Sequence, residues 1–302
     1  MNVLITGGGG FLGAAVVSRL LDCGAQVRVF GRTNKKDRLV YTIGSKANAV
    51  EWRCGDIADT PQVIAATEGC DAVVHLAAVL TPDCIKNPLS GAMINVMGTL
   101  NVFEAAKHHG IGKVIYCSSG GVFGPEDSRV PYPLTHYGAF KLANEGSARA
   151  YWLDEGIASI GFRPFVVYGP GRETGLSAGP TLACKAAALG EPYTIQLTGT
   201  IGLVHVDDVA ASFAAAATAA FQGAHVFNLP GEPVTITEII DRIRHIVPGA
   251  QLDCAGDPLP MVSSTRNDYQ NDMLAVPPPV ALDDGLRLTI DYYRKAISPD
   301  SV

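Results

Sequence analysis

Tyr137 and Lys141, in the stretch HYGAFK (136 to 141), lie four residues apart, a spacing that puts a phenol and an ammonium on one face of a helix. Such a pair suits proton transfer to or from a carbonyl oxygen. A phenol alone is too weak an acid near neutral pH, and a neighbouring cation stabilises the phenolate and draws its pKa down. A Tyr-x-x-x-Lys pair also occurs as a plain surface contact, so its surroundings decide. Upstream, SSGGVFG (118 to 124) follows an apolar run that reads as a strand, and open parallel sheets place their active sites at the carboxyl ends of strands.

A second chemical feature opens the chain. The run NVLIT (2 to 6) passes directly into TGGGGFLG (6 to 13), with glycines at 7, 10 and 13 where strand turns into helix. Gly7 permits the tight turn, Gly10 lets a pyrophosphate approach the backbone, and Gly13 lets the helix pack closely on the sheet. Phe11 and Leu12 open that helix and belong to the same site, which is expected to hold a dinucleotide. The next strand ends in VRVFGR (27 to 32). An NAD site needs an acid there to bind the adenine ribose; this chain has Gly31, which leaves room for a 2′-phosphate, and Arg32, a forked and permanent cation. The combination favours NADP, with NAD as the other possibility, and Thr33, Lys35 and Lys36 stand close enough in sequence to assist. Further on, Asp56 and Ile57 are expected to flank the adenine, although Asp56 would equally serve to cap the helix that follows.

These residues need elements to position them. QVRVF (26 to 30), VEWRCGD (50 to 56), AVVHLAA (72 to 78), KVIYCSS (113 to 119) and SIGFRP (159 to 164) read as strands, alternating with helical stretches at 11 to 24 and 91 to 110 that stop at glycines. Strict alternation implies an α/β fold, a Rossmann-like doubly wound parallel sheet. Past about residue 165 the pattern changes, and a smaller C-terminal α/β substrate lobe is expected. Residues 1–165 with about 203–230 would form the dinucleotide domain, VFNL (226 to 229) returning to its sheet, and about 166–202 with 231–302 the lobe. In that lobe, Thr235 should cap the helix TITEIIDRIRHIV, and the prolines 277 to 279 should turn the chain into a last helix, LDDGLRLTIDYYRKA.

Composition narrows the partners. A net charge of −6 without a run of Lys or Arg offers no footprint for nucleic acid or an anionic membrane, so the expected partner is a small molecule. The seven cysteines form no CxxC pair and are expected to be reduced core residues, and no metal is expected. The first strand starts at the N-terminus, leaving no room for a signal peptide, and the most apolar stretch (209 to 221) is too short to span a bilayer, so a cytoplasmic location is expected.

The GxxGxxG loop, SSGGVFG and YxxxK together resemble the extended short-chain dehydrogenase/reductases, the group that includes the epimerase/dehydratase enzymes. VVHLAA, NVMGTLNVFEAA, FRPFVVYGPG and HVDDVA match family segments in order over nearly the whole chain. The resemblance implies that Ser119 hydrogen-bonds the substrate oxygen, with Ser118 the weaker candidate, and that Lys141 also holds the nicotinamide ribose. It further implies cofactor walls at Leu76, Ala77, Ala78, Pro164 and Val166, an Asn95 that supports the active-site network, and a substrate edge at Gly120 and Arg172, near Glu173, Thr174 and Ser177. Homodimers through the helices at 91 to 110 and 137 to 155 would also fit the family. Two departures bear on substrate. Where nucleotide-sugar enzymes carry an asparagine and an arginine for the diphosphate, this chain has Val166 and Ile201, and Gly120-Gly121 replaces the acid pair of the dehydratases. The expected activity is therefore reversible hydride transfer on a small hydroxy or keto compound, such as a sugar acid, hydroxy acid, aldehyde or ketone. The alternatives are an epimerase with retained NAD and a non-catalytic dinucleotide sensor.

Overall fold

The computed structural model describes residues 1–34, 36–265 and 273–295, with the side chains of Asp37 and Arg38 left out, so Lys35 and the expected end of the last helix at Ala296 lie outside the described residues. The first part runs β1 (Asn2–Thr6), α1 (Phe11–Asp22), β2 (Gln26–Gly31), α2 (Lys36–Ile43), β3 (Glu51–Cys54), α3 (Thr60–Thr67) and β4 (Ala72–His75). It continues through α4 (Thr81–Lys86), α5 (Pro88–Ala92), a π-helical segment (Met93–Met97), α6 (Gly98–His109), β5 (Lys113–Cys117), α7 (His136–Glu155) and β6 (Ala158–Pro164). Then follow β7 (Val166–Tyr168), α8 (Gly179–Leu189), β8 (Tyr193–Ile195), β9 (Thr200–His205), α9 (Val206–Thr218) and β10 (Ala224–Leu229). The described chain closes with β11 (Glu232–Thr235), α10 (Ile236–Ile246), β12 (Leu252–Cys254) and α11 (Leu282–Lys295).

Seven strands form the main sheet in the order β10-β6-β5-β4-β1-β2-β3, every pairing parallel. Its central strands are apolar at successive positions (Val3, Leu4 and Ile5; Val73 and Val74) because helices cover both faces: α1 and α9 on one, α3 and α6 on the other. The strand order reverses between β1 and β4, which opens a crevice at their carboxyl ends where the glycine loop, the 76–80 segment and the SSGG loop meet. The expected fold is borne out, down to the return of 226 to 229 as part of β10 beside β6.

The smaller lobe is built on β11-β9-β7 and the β12-β8 pair, with α8, α10 and α11 around a separate apolar cluster. The expected boundary near 203 falls inside β9, which pairs with β7 and β11, so the chain regains the main sheet only through α9 and β10. Thr235 caps α10 as expected, in a reciprocal capping box with Glu238. No described helix is long and apolar enough to cross a membrane.

Two expectations need correction. The stretch 91 to 110 is not one regular helix. Asn95 sits in the π segment, where its carbonyl accepts from Asn144 Nδ2 (2.9 Å) and Thr99 Oγ1 (2.8 Å) while its side chain grips the backbone of Val79, so side-chain partners interrupt the regular ladder. The cysteines are all free, but Cys23 and Cys54 are exposed rather than in the core, one just past the end of α1 and the other at the end of edge strand β3.

Candidate active site

The glycine-loop end of the crevice is shaped by backbone. Gly7 has φ +75°, and a Cβ there would stand 2.8 Å from Ala77 N; a Cβ on Gly13 would stand 2.3 Å from Gly7 O. The first helical bond of α1 runs from Ala14 N to Gly10 O, and the Gly10 cap uses no side chain, so the N–H groups of Phe11, Leu12 and Gly13 have no partner within the helix. All three residues line one cavity of about 540 Å³. Unpaired donors at a positive helix end beside a side-chain-free turn suit a pyrophosphate, so the residues present fit a dinucleotide. At the tip of β2, a Cβ on Gly31 would meet nothing within 4 Å, and the exposed Arg32 lines the same cavity.

The loop that faces this cradle is tied down by a buried chain of hydrogen bonds. Thr99 Oγ1 donates to Asn95 O, so it accepts from His75 Nε2 (3.0 Å); His75 Nδ1 must then accept from Thr6 Oγ1 (2.7 Å), which in turn accepts from the N–H groups of Leu76 and Ala77. This assigns His75 as the neutral Nε2–H tautomer. Complete burial, helped by the charge of Lys141, lowers its pKa to about 3. Asn95 extends the same support by pairing with both the N–H and the carbonyl of Val79 at 2.9 Å.

The reactive end depends on one close approach. Thr135 caps α7 by accepting from Gly138 N (3.0 Å), and a Cβ on Gly138 would stand 2.2 Å from Gly121 O. Only a glycine beside Tyr137 lets the first turn of α7 rest on the SSGG loop, and Tyr137 and Ser119 line the same cavity from these two segments, with Ser119 Oγ accepting from Gly121 N (3.0 Å). Ser118 is turned away into the core. It donates to Glu145 Oε1 (2.5 Å), which with Oε2 also binds Arg163 at 2.8 and 2.6 Å. Arg163 therefore braces β6 against α7 rather than facing a ligand.

The electrostatics differ from the simplest expectation. Lys141 is buried, which lowers its pKa, and it donates to Cys117 O (2.6 Å) with its Nζ 5.5 Å from the centre of the Tyr137 ring. Burial pushes the Tyr137 phenol up, and the cation acting against this is Arg172, with the nearby Ser119 hydroxyl working in the same direction. Arg172 is largely buried, its Cζ 5.5 Å from the centre of the Phe11 ring.

Among the sequence-derived candidates, Gly7, Gly10, Phe11, Leu12, Arg32, Leu76, Ala78, Ser119, Tyr137, Lys141, Pro164, Val166 and Arg172 line this single cavity. Ala77 and Asn95 support it from behind, Gly31 lies at the open tip of β2 beside Arg32 without lining it, and Gly120 packs beneath Phe165 and Met261. Asp56 does not cap α3. That role belongs to Asp59, which accepts from Gln62 N, while the exposed Asp56 carboxylate accepts from Ala58 N, and Ile57 is buried against Gly98. Thr174 and Ser177 line the cavity, but Glu173 pairs instead with Lys185 (3.1 Å). Sequence reasoning missed Gly138, the Cys117 carbonyl, and the apolar contributors Leu134, Leu259 and Met261. For Gly138 the sequence offered a signal, a glycine beside the tyrosine; for the apolar residues it offered none.

A second cavity, about 660 Å³, lies between the small sheet and residues 276–282, on the flanks of a segment outside the described residues. Its Asp208 accepts from Val280 N (3.0 Å), and burial pushes that carboxyl up to about 6. No group of three or more His, Cys, Asp or Glu suited to a metal occurs among the described residues.

Residues 3–229 match the model of the NAD dependent epimerase/dehydratase family. Among curated relatives, a 2-alkyl-3-oxoalkanoate reductase of Stenotrophomonas maltophilia is 30% identical over 84% of this chain and 78% of its own length. A UDP-glucose 4-epimerase of Mycolicibacterium smegmatis is 30% identical over 97% of this chain and 99% of its own. Among solved structures, the Thermus thermophilus UDP-glucose 4-epimerase in complex with NAD superimposes with a TM-score of 0.84 at 26% identity, covering 98% of this chain and 100% of that one. With residues 3–229 matching the family model, and with Ser119, Tyr137 and Lys141 sharing a cavity with the glycine-lined N-terminus of α1, this chain belongs to the NAD dependent epimerase/dehydratase family, within the extended short-chain dehydrogenase/reductases.

Proposed function

We propose that this chain is an NADP-preferring oxidoreductase that transfers a hydride reversibly between the dinucleotide and a small hydroxy or keto compound. The observation that carries this reading is the pairing of a complete Ser119, Tyr137 and Lys141 group with apolar residues at both diphosphate-anchoring positions: Val166 and Ile201 are each 2% exposed. A diphosphate held against two buried aliphatic side chains would lose its water without gaining charge-assisted partners. The name of the Stenotrophomonas relative, a reductase of an oxo acid, agrees with this reaction class.

The nicotinamide, when bound, supplies or accepts the hydride. Ser119 donates to the substrate oxygen and places it against Tyr137, which gives up or takes the matching proton. Lys141, fixed on Cys117 O, keeps two N–H donors for ribose hydroxyls and a positive charge beneath the tyrosine ring. Arg172 adds a second cation near the phenol and favours its ionised form when the proton leaves. Preference for NADP rests on Gly31 and Arg32; the NAD bound to the Thermus neighbour argues the other way, and cofactor choice is therefore the first test.

A second reading, an epimerase with retained NAD, has support in the near-complete coverage of the UDP-glucose 4-epimerase relatives. The two separate in one experiment: purify the protein without added nucleotide, denature it, identify what is released, and titrate the emptied protein with NADPH and NADH. Hydride exchange with solution cofactor predicts little retained nucleotide, NADPH bound at least about tenfold more tightly, and loss of that preference in Arg32→Ala. Tightly held NAD, indifferent to Arg32, selects the epimerase. For quaternary structure we propose a homodimer through the α5–α6 run and α7, where Leu89, Met93, Met97 and Leu153 are exposed; sedimentation at micromolar concentration tests it.

A further inference from the structure

We propose that the substrate is an amphipathic carboxylate, an oxo acid or the matching hydroxy acid, whose carboxylate pairs with Arg172 and whose alkyl chain leaves through an apolar mouth. The proposal rests on the hydride-transfer reading and adds the chemical class of the compound. Arg172 is held on the loop after β7 by its own N–H to Gly169 O (3.3 Å), and it lines the cavity with its guanidinium over the Phe11 ring. Its Nη2 donates to Ser177 Oγ (3.3 Å), but Nε is buried without a hydrogen-bond partner, and no ion pair forms at this side chain among the described residues. Elsewhere the fold does neutralise a buried arginine, Arg163, with a bidentate carboxylate. A guanidinium is always charged, and leaving it buried with an empty donor is costly unless an anion arrives. A carboxylate is the planar anion its fork matches.

The rest of the cavity indicates what that anion carries. Leu134 and Leu176 line its mouth while 52% and 57% exposed, and Leu80, Leu259 and Met261 complete an apolar wall. Large apolar side chains held open to water beside the Arg172 guanidinium, with the other buried cation, Lys141, already tied to Cys117 O, fit an acyl or alkyl chain ending in one charge. They suit a polyhydroxylated sugar poorly. Arg172 and Tyr137 line the same cavity, so the carboxylate and the reacting oxygen belong to one substrate molecule held within it. In the reducing direction the carbonyl carbon gains one hydride, its oxygen gains one proton from Tyr137, and the dinucleotide is oxidised by two electrons.

The test uses the full chain with 3-hydroxydecanoate, its methyl ester and NADP or NAD, together with calorimetry of the unreactive probe decanoate on the cofactor-loaded protein. The expected result is an acid-over-ester advantage in kcat/KM of about 100-fold. Arg172→Met should abolish that advantage by reducing turnover of the acid alone, and Arg172→Lys should recover part of it. Decanoate should bind the unaltered protein more tightly than butanoate does, and Arg172→Met not at all. Equal use of acid and ester overturns the proposal, as does an Arg172→Met protein that loses NADPH affinity with the acid-to-ester ratio unchanged, since the guanidinium would then serve the cofactor. Arg172-dependent binding of decanoate without turnover of either probe supports the carboxylate site and removes the hydride-transfer reading instead. Turnover of the ester with no decanoate binding does the reverse.

Discussion

The two ends of the cleft are built from different materials. At the proposed dinucleotide end, recognition would come from backbone: a turn at Gly7, a close approach at Gly13 and the N–H groups of the first turn of α1 that have no partner within the helix. At the proposed substrate end it would come from side chains on separate segments, Leu134 before α7, Arg172 after β7, and Leu259 and Met261 beyond β12. A backbone site changes little when surrounding side chains change, whereas a side-chain site changes with each substitution. One scaffold can therefore keep its dinucleotide while its substrate varies.

The contrast can be broken most sharply at the junction of the two ends. Tyr137→Phe removes the proton carrier and nothing else, so turnover should fall by about 10³-fold or more while dinucleotide affinity stays within about twofold. Stopped-flow fluorescence with NADPH and steady-state rates on the same preparation measure both; a variant that keeps its turnover removes Tyr137 from the reaction.

The support behind the cofactor end is next in size. His75 is neutral in the folded protein, with its pKa lowered from 6.5 to about 3, whereas in the unfolded chain it protonates near 6.5. Its contribution to stability is complete above pH 6.5 and is lost progressively as pH falls towards 3, by several kcal/mol at one pKa unit per about 1.4 kcal/mol. Denaturant midpoints from pH 7 to 4 should fall, and His75→Gln, which cannot ionise, should flatten that acid limb even if it starts from a lower stability.

Two glycines sharpen the comparison because the added atom is the same in both. Gly13→Ala places a Cβ 2.3 Å from Gly7 O and should weaken dinucleotide binding about tenfold; Gly138→Ala places one 2.2 Å from Gly121 O and should lower kcat about tenfold with the dinucleotide affinity kept. If both changes affect binding and turnover alike, the two ends are one mechanical unit. The smallest effect lies outside the cleft. The Asp208 pKa is raised to about 6 in the folded state against 3.8 for the free group, so the folded protein gains stability as pH falls from 6 towards 4 and loses it again as pH rises through 6. Asp208→Asn retains an acceptor for Val280 N and should stabilise the protein at pH 7.5 by about 1 kcal/mol, after allowance for partial exposure, with no gain at pH 4.5.

The sequence by itself determined what is local. Alternating strands and helices, the GxxGxxG turn, the YxxxK helix face and the Gly31-Arg32 strand end could each be located within a few residues, because period, turn geometry and helix spacing are short-range properties. Tertiary structure decided what crosses the chain. It placed Lys141 on the Cys117 carbonyl and brought a second cation, Arg172, into the same cavity, gave the helix cap to Asp59 rather than Asp56, and opened the helix at Asn95 to clamp Val79. It also brought Leu134 and Met261 to one wall. The physical reason is the same in each case. A side chain's partner is set by which buried donors, acceptors and charges must be satisfied once distant segments have packed, and no window of the sequence contains those segments together.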